Sequence, residues 1–223
     1  MTDVAGSRYR HGMSDAATPA HAAAGADDAP TLRVVSASSV PFADVEAVFG
    51  TRGDPATCWC QWYKLRGSAW ESASRDELRG RLEEQLAAPG TGPGILAYDG
   101  ETPVGWCAVE PRSGLERLRH SPVASASPDD DFDDSSIWAV TCFVVPRAFR
   151  RRGVGRALAA AAVATAREHG ATLLEAYAVD PAARTKPPAA DLFPGTVSMF
   201  EAAGFREVAR PKPHRVVMQH PLD

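Results

Sequence analysis

The chain is poor in lysine, in cysteine and in long apolar runs, and each shortage removes a class of reading. Lys64, Lys186 and Lys212 are the only lysines among 223 residues, so arginine carries the positive charge. The net charge is −4, which argues against a protein that coats nucleic acid with a broad basic face. Four cysteines, Cys58, Cys60, Cys107 and Cys142, form no disulfide framework of a small secreted domain. No apolar run has the length of a membrane span or the layout of a signal peptide, so neither is expected and a cytoplasmic location is the default.

What is present suits a soluble domain. An apolar fraction of 44% and a charged fraction of 23% allow one domain with a real core. Residues 1–30 are built of Ala, Gly, Asp and Pro with hardly a large apolar side chain. Such a segment cannot bury enough surface to offset its ordering entropy, and a disordered tail is expected there, with the domain over 31–223.

From Thr31 the pattern alternates between strand and helix. LRVVSA (32–37) reads as a strand, and PFADVEAVFG (41–50) as a helix opened by Pro41 and closed by Gly50. In SRDELRGRLEEQLAAPG, Ser74 stands three residues before Glu77 as in a capping box, and Leu78, Leu82 and Leu86 recur on one face. GILAYDGETPVGWCAVEPR is a hairpin with Asp99 and Gly100 at its turn. IWAVTCFVV (137–145) and LLEAYAV (173–179) are apolar on both faces, as in strands covered on both sides. A helix over 153–169, a short one over 196–204 and strands at 205–210 and 215–220 complete a mixed α/β domain.

The segment PRAFRRRGVGRAL (146–158) joins a covered strand to an alanine-rich helix and carries Arg147, Arg150, Arg151, Arg152 and Arg156 around Gly153 and Gly155. A strand that enters a helix through a glycine-bearing turn leaves the first helical N–H groups pointing outward, and with the helix dipole they form an anion site. The glycines admit close approach and the arginines add charge, which fits a diphosphate. A nucleotide P-loop would need a Lys and a Ser or Thr that are missing here, and the dinucleotide fingerprint wants glycine where Leu158 stands.

Arg150-Arg151-Arg152-Gly153-Val154-Gly155 instead resembles the acyl-CoA-binding motif of the GCN5-related N-acetyltransferases, [RQ]-x-x-G-x-[GA]. MFEAAGF (199–205) is similar to that family's near-terminal signature, and the element order from Leu32 onward also matches. The resemblance covers residues 31–223 and implies a mixed central sheet of about six to seven strands flanked by about four helices. It further implies acetyl-CoA as cosubstrate, with the diphosphate on the amides of 151–156 and on Arg150, Arg151, Arg152, Gly153, Val154, Gly155 and Arg156. The pantetheine arm would run beside Phe143, Val144 and Val145, where the fourth and fifth strands splay apart, with an N–H at Phe143 or Val144 receiving the oxyanion. No metal is implied. The reaction is direct transfer of an acetyl group to an amine of a small molecule or protein, with no nucleic-acid or membrane partner, and a homodimer is compatible with it.

Two departures from the family bear on catalysis. The strand 137–145 has no carboxylate to act as base, and Phe200 stands where members often carry a tyrosine acid. Glu175 and Tyr177 alternate onto one face of the fifth strand and are the expected base and acid, with Glu110 as a further base. The alternative for Glu175 is a structural partner for an arginine, because an unpaired acid in so apolar a strand is costly. For Tyr177 it is a core tyrosine with a satisfied hydroxyl. Trp59, Trp62 and Tyr63 in CWCQWY (58–63) are expected to wall the acceptor pocket, the alternative being a small satellite core. A covalent route through Cys142 is set aside because buried cysteine is usually packing. The aspartates of 129–134 are read as a solvated loop. Two rival functions remain at this point: an acyl-CoA-binding module without turnover, and an RNA-directed acetyltransferase.

Overall fold

The computed structural model describes residues 32–129, 131–184 and 189–222, and the tail expected over 1–30 lies outside them. In chain order the elements are β1 (Arg33–Ser36), α1 (Phe42–Phe49), α2 (Asp54–Cys58), α3 (Ser68–Glu71), α4 (Arg75–Ala87), β2 (Gly94–Asp99) and β3 (Thr102–Pro111). There follow α5 (Glu116–Arg119), β4 (Ile137–Val144), α6 (Val154–Glu168), β5 (Leu173–Val179), α7 (Val197–Glu201), β6 (Arg206–Lys212) and β7 (Arg215–Pro221). The seven strands form one mixed sheet in the order β1-β2-β3-β4-β5-β7-β6. The four expected helices are α1, α4, α6 and α7. The others, α2, α3 and α5, are helices of four or five residues, too short to leave a periodic signal.

Local chemistry sets the longer helices. Ser74 Oγ accepts the Glu77 N–H at 3.2 Å while the Glu77 carboxylate takes the Ser74 N–H at 2.7 Å, closing the capping box of α4. Leu78, Leu82 and Leu86 are buried against the sheet face that also carries Leu96, Trp106 and Val144. On the opposite face α6 packs Leu158, Ala159 and Ala162 beside Val140 and Ala176. Gly105 in β3 lets α6 approach, since a Cβ there would stand 2.5 Å from Val154 Cγ1 and 3.0 Å from Leu158 Cδ1. That contact places the N-terminus of α6 directly over the sheet.

The sheet opens at one point. The strands β4 and β5 pair in parallel from Ile137↔Leu173 to Val140↔Ala176, and their pairing stops there. Register also shifts between Ala108 and Val109, which face Cys142 and Val140, so Thr141 is the extra residue of a bulge. Among the described residues no helix is long and apolar enough to cross a membrane.

Candidate active site

Gly153 caps α6 in a left-handed conformation, φ +83°, with no side chain bonded to the first-turn N–H groups. The first helical bond closes from Ala157 N–H to the Gly153 carbonyl at 3.0 Å. Arg151, at φ +63°, is held in a conformation that costs a branched-off side chain energy. These N–H groups open on a cavity of about 600 Å³ lined by Arg150, Arg151, Gly153, Val154, Gly155 and Arg156. Arg150 Nε bonds the Val145 carbonyl at 2.9 Å, which fixes the guanidinium at the cavity wall. Arg152 does not line it and lies with its guanidinium 5.9 Å from the Phe149 ring. Among the described residues, none of these arginines forms an ion pair. The arrangement can hold a polyanion. Thr196, Ser198 and Met199 complete the cavity. Nothing near the glycines in sequence points to them.

A second cavity continues from the first through Val145, Arg150, Gly155, Thr196 and Met199 and reaches Phe143 and Phe193. It follows the gap between β4 and β5. The segment 193–196 runs in that gap: Val179 N–H bonds the Gly195 carbonyl at 2.9 Å, and Phe143 N–H bonds the Phe193 carbonyl at 2.6 Å. Of the two backbone groups expected to face the reacting carbonyl, Phe143 N–H therefore points into the gap. Val144 N–H, by the alternation along a strand, points toward β3.

Phe193 also lines a third cavity, of about 220 Å³. Its walls include Trp62, Tyr63, Thr141, Cys142, Phe193 and Arg215. Burial pushes the Tyr63 hydroxyl up in pKa, opposed by the nearby Arg215 guanidinium. The Cys58 thiol, also in the wall, is pushed up to about 12 by burial, so it presents a neutral group. Cys60 Sγ accepts the Trp106 indole N–H at 3.1 Å.

Four of the residues expected at the site, Trp59, Glu110, Glu175 and Tyr177, line none of these three cavities. Trp59 is 2% exposed and lines no cavity; it stacks on Phe49 with ring centroids 5.0 Å apart in the core between α1, α4 and the sheet. The left-handed backbone of Trp59 and Cys60, φ +47° and +52°, turns it inward while Trp62 and Tyr63 stay at the cavity. Glu175 is 0% exposed and enclosed by donors: Arg112 Nη1 at 3.3 Å, Ser127 Oγ at 2.5 Å, Gln219 Nε2 at 2.9 Å and the Tyr177 hydroxyl. Neither Glu175 nor Tyr177 reaches any of the three cavities. Glu175 has the arginine partner weighed as the alternative, and the buried Tyr177 hydroxyl is bonded to it; burial and the Glu175 carboxylate raise the Tyr177 pKa well above the usual tyrosine range.

Glu110 likewise lines none of these cavities. Its carboxylate pairs with Lys64 Nζ at 2.9 Å, and burial raises its pKa against the pull of that lysine. Phe200 is fully buried, meeting Phe143 and Phe205 edge to face. The acidic stretch serves its own loop: the Asp131 carbonyl accepts Arg112 Nη2 at 2.8 Å and Asp133 pairs with Arg119 at 2.5 Å.

A protein-family model described as the acetyltransferase (GNAT) family matches residues 59–186. A search among curated proteins finds no match. Among solved structures, a GCN5-related N-acetyltransferase from Kribbella flavida is 19% identical, with 86% of this chain and 98% of that one covered and a TM-score of 0.50. PaiA N-acetyltransferase from Thermoplasma acidophilum, solved in complex with coenzyme A, is 10% identical over 86% of this chain and 99% of that one, with a TM-score of 0.49. A phosphinothricin acetyltransferase from Sinorhizobium meliloti, solved with AcCoA, is 14% identical over 86% and 89%, with a TM-score of 0.49. The Kribbella likeness is one of fold. The family model spans more than half of the sequence, and on that match the chain belongs to the acetyltransferase (GNAT) family, whose chemistry is acyl transfer.

Proposed function

We propose that the protein transfers an acetyl group from acetyl-CoA directly to the amine of a small molecule. The observation that carries this reading is the succession of three cavities: an arginine-lined polyanion cradle, a gap between two sheet strands that shares five lining residues with it, and a small, largely apolar pocket that shares Phe193 with the gap. The cradle residues fit a diphosphate, because Gly153 and Gly155 leave the first-turn amides uncovered and, among the described residues, no carboxylate pairs with the arginines beside them. Acetyl-CoA would supply the activated acyl group.

The chain's part is to bind, orient and exclude water. A new C–N bond forms as the C–S bond breaks, the amine gives up a proton and the departing thiolate gains one. Phe143 N–H is the donor for the developing oxyanion, and to serve it must leave the Phe193 carbonyl that it bonds at 2.6 Å. The segment 193–196 therefore shifts when the arm of the donor enters. Among the residues that line the acceptor pocket, the one carboxylate, Asp191, is held by Arg184. The amine accordingly reacts as the neutral species, without a dedicated carboxylate base in the pocket. Tyr63 is the lining hydroxyl that keeps its proton and can protonate the thiolate.

The test is to incubate the full chain with acetyl-CoA and a panel of amines while following free thiol and the mass of the acetylated product. Thiol release that depends on an amine is expected. Failure of acetyl-CoA and CoA to raise the unfolding temperature would overturn the reading at its root.

A further inference from the structure

Most arginines of the acceptor side have an acidic partner of their own. Arg184 pairs with Asp191, Arg210 with Asp180 and Glu207, and Arg119 with Asp133. Arg215 is different. It is half-buried, it lines the acceptor pocket, and among the described residues no carboxylate lies within ion-pair distance of it. A guanidinium withdrawn from water without a counter-ion is in an unfavourable position that an anion relieves.

Its placement is rigid. Arg215 opens β7 and pairs with Val179 at the end of β5, so its backbone belongs to the sheet. The alternation along β7 puts it on the same face as Val217, which packs with Tyr177 and Tyr63. The Tyr63 hydroxyl and the Arg215 guanidinium thus meet in one wall of the pocket.

The outer mouth has the same sign. Arg215 also lines the cavity outside, where Arg184, Lys212 and His214 surround the single carboxylate of Asp191. With Asp191 already paired to Arg184, the mouth keeps a positive balance that draws an anion inward. Inside, beside Thr141 and the Arg184-paired Asp191, the walls are largely thiols and aromatic rings. The volume of about 220 Å³ is below the roughly 300–1,000 Å³ of pockets for drug-sized ligands, so the acceptor is small.

We propose that Arg215 anchors a carboxylate on the acceptor, and that the acceptor is therefore a small amino acid with an apolar side chain, acetylated on its amine. This rests on the acetyl-transfer reading above and adds the substrate class. Arg215 determines specificity and does not touch the reacting atoms.

The experiment compares matched acceptors that share amine and side chain: L-phenylalanine with phenylalaninamide and phenethylamine, and L-methionine with methioninamide. Thiol release is measured for the native chain, Arg215→Met and Arg215→Lys. Binding of the same compounds is titrated calorimetrically in the presence of CoA. The carboxylates are expected to be preferred by about tenfold or more in kcat/KM, mostly through KM, as for a charge-assisted contact. R215M should reduce that preference to about twofold or less and R215K should keep part of it, with KM for acetyl-CoA unchanged. Equal use of carboxylates and their uncharged counterparts, or an undiminished preference in R215M, overturns the anchor while acetyl transfer stands. Carboxylate binding that is lost in R215M without any product supports the anchor and sinks the transfer reading instead. No binding and no turnover of any carboxylate overturns the anchor.

Discussion

Arg112 and the arginines of 150–156 show two opposite uses of the same side chain. Arg112 is 1% exposed and spends its guanidinium on Glu175, the Asp129 carbonyl and the Asp131 carbonyl. Arg150, Arg151 and Arg156 stand around an open cavity, and among the described residues no carboxylate pairs with them. The first region is closed by its own sequence. Its acid, amide and hydroxyls bond one another, the two terminal nitrogens of the arginine's fork are bonded, and of these buried groups only Arg112 Nε is left without a partner among the described residues. The second is completed only by something from outside, and its charge identifies that something as an anion. Charge count alone does not separate the two; the location of the counter-charge does.

The comparison is broken most forcefully at Arg112. Replacing it by Met leaves Glu175 buried with hydroxyls and one amide but no cation, which is expected to cost about 3–5 kcal/mol of stability. For a chain of this size that lowers the unfolding temperature by roughly 10 °C. The double variant R112M/E175Q removes both charges and should recover most of the loss. Urea unfolding of the two variants checks both statements. A loss below about 1 kcal/mol in R112M would place Arg112 among ordinary surface arginines, by the usual range for surface substitutions.

The next effect is on binding rather than folding. Gly153 needs its left-handed backbone, so a substitution there confuses strain with function; Gly155 is the better probe. A Cβ at Gly155 would meet Met199 Sδ at 3.0 Å, and the branches of valine would extend from it into the cradle. Gly155→Val is expected to weaken acetyl-CoA at least about a hundredfold, near 3 kcal/mol, and to abolish its protection against heating. Undiminished protection would move the diphosphate away from α6. A milder version removes charge without adding bulk. Arg156→Gln should raise KM for acetyl-CoA about tenfold with kcat unchanged, the mark of lost uniform binding. The penalty should shrink as salt rises in the native chain.

Local patterns were enough for the sheet and for the cradle. The strands 137–144 and 173–179 are apolar throughout, the helix between them is announced by its glycine turn, and the arginines lie within seven residues of one another. What the sequence hides is pairing at a distance. Glu175 and Arg112 are 63 residues apart, and Gln219 joins them from 44 residues on the other side. The acid's need for a partner was readable; which arginine answers it was not. Arg215 has no local mark at all, because the role proposed for it rests on there being no carboxylate paired with it among the described residues. Trp59 and Trp62 look alike in an aperiodic loop, and only the left-handed turn at Trp59 and Cys60 sends one into the core and leaves the other at the pocket.

Tyr177 gives the smallest expected effect and the finest test of the contrast. Its hydroxyl bonds a carboxylate that already has three other donors, and it faces no cavity. Tyr177→Phe removes one hydrogen bond and leaves no void, because the two rings have the same outline. The loss of a single bond to a charged group is worth about 1.5–3 kcal/mol at most, and less when other donors remain. Unfolding should therefore shift by a few degrees, while kcat for acetyl transfer changes by less than about twofold, since the group touches no reacting atom. Tyr63→Phe is the control on the other side of the same wall: there the stability should hold and kcat should fall. If the two variants exchanged these effects, the proton donor would lie inside the closed network, and the division between self-satisfied and ligand-seeking groups would fail at the residue where it is drawn most narrowly.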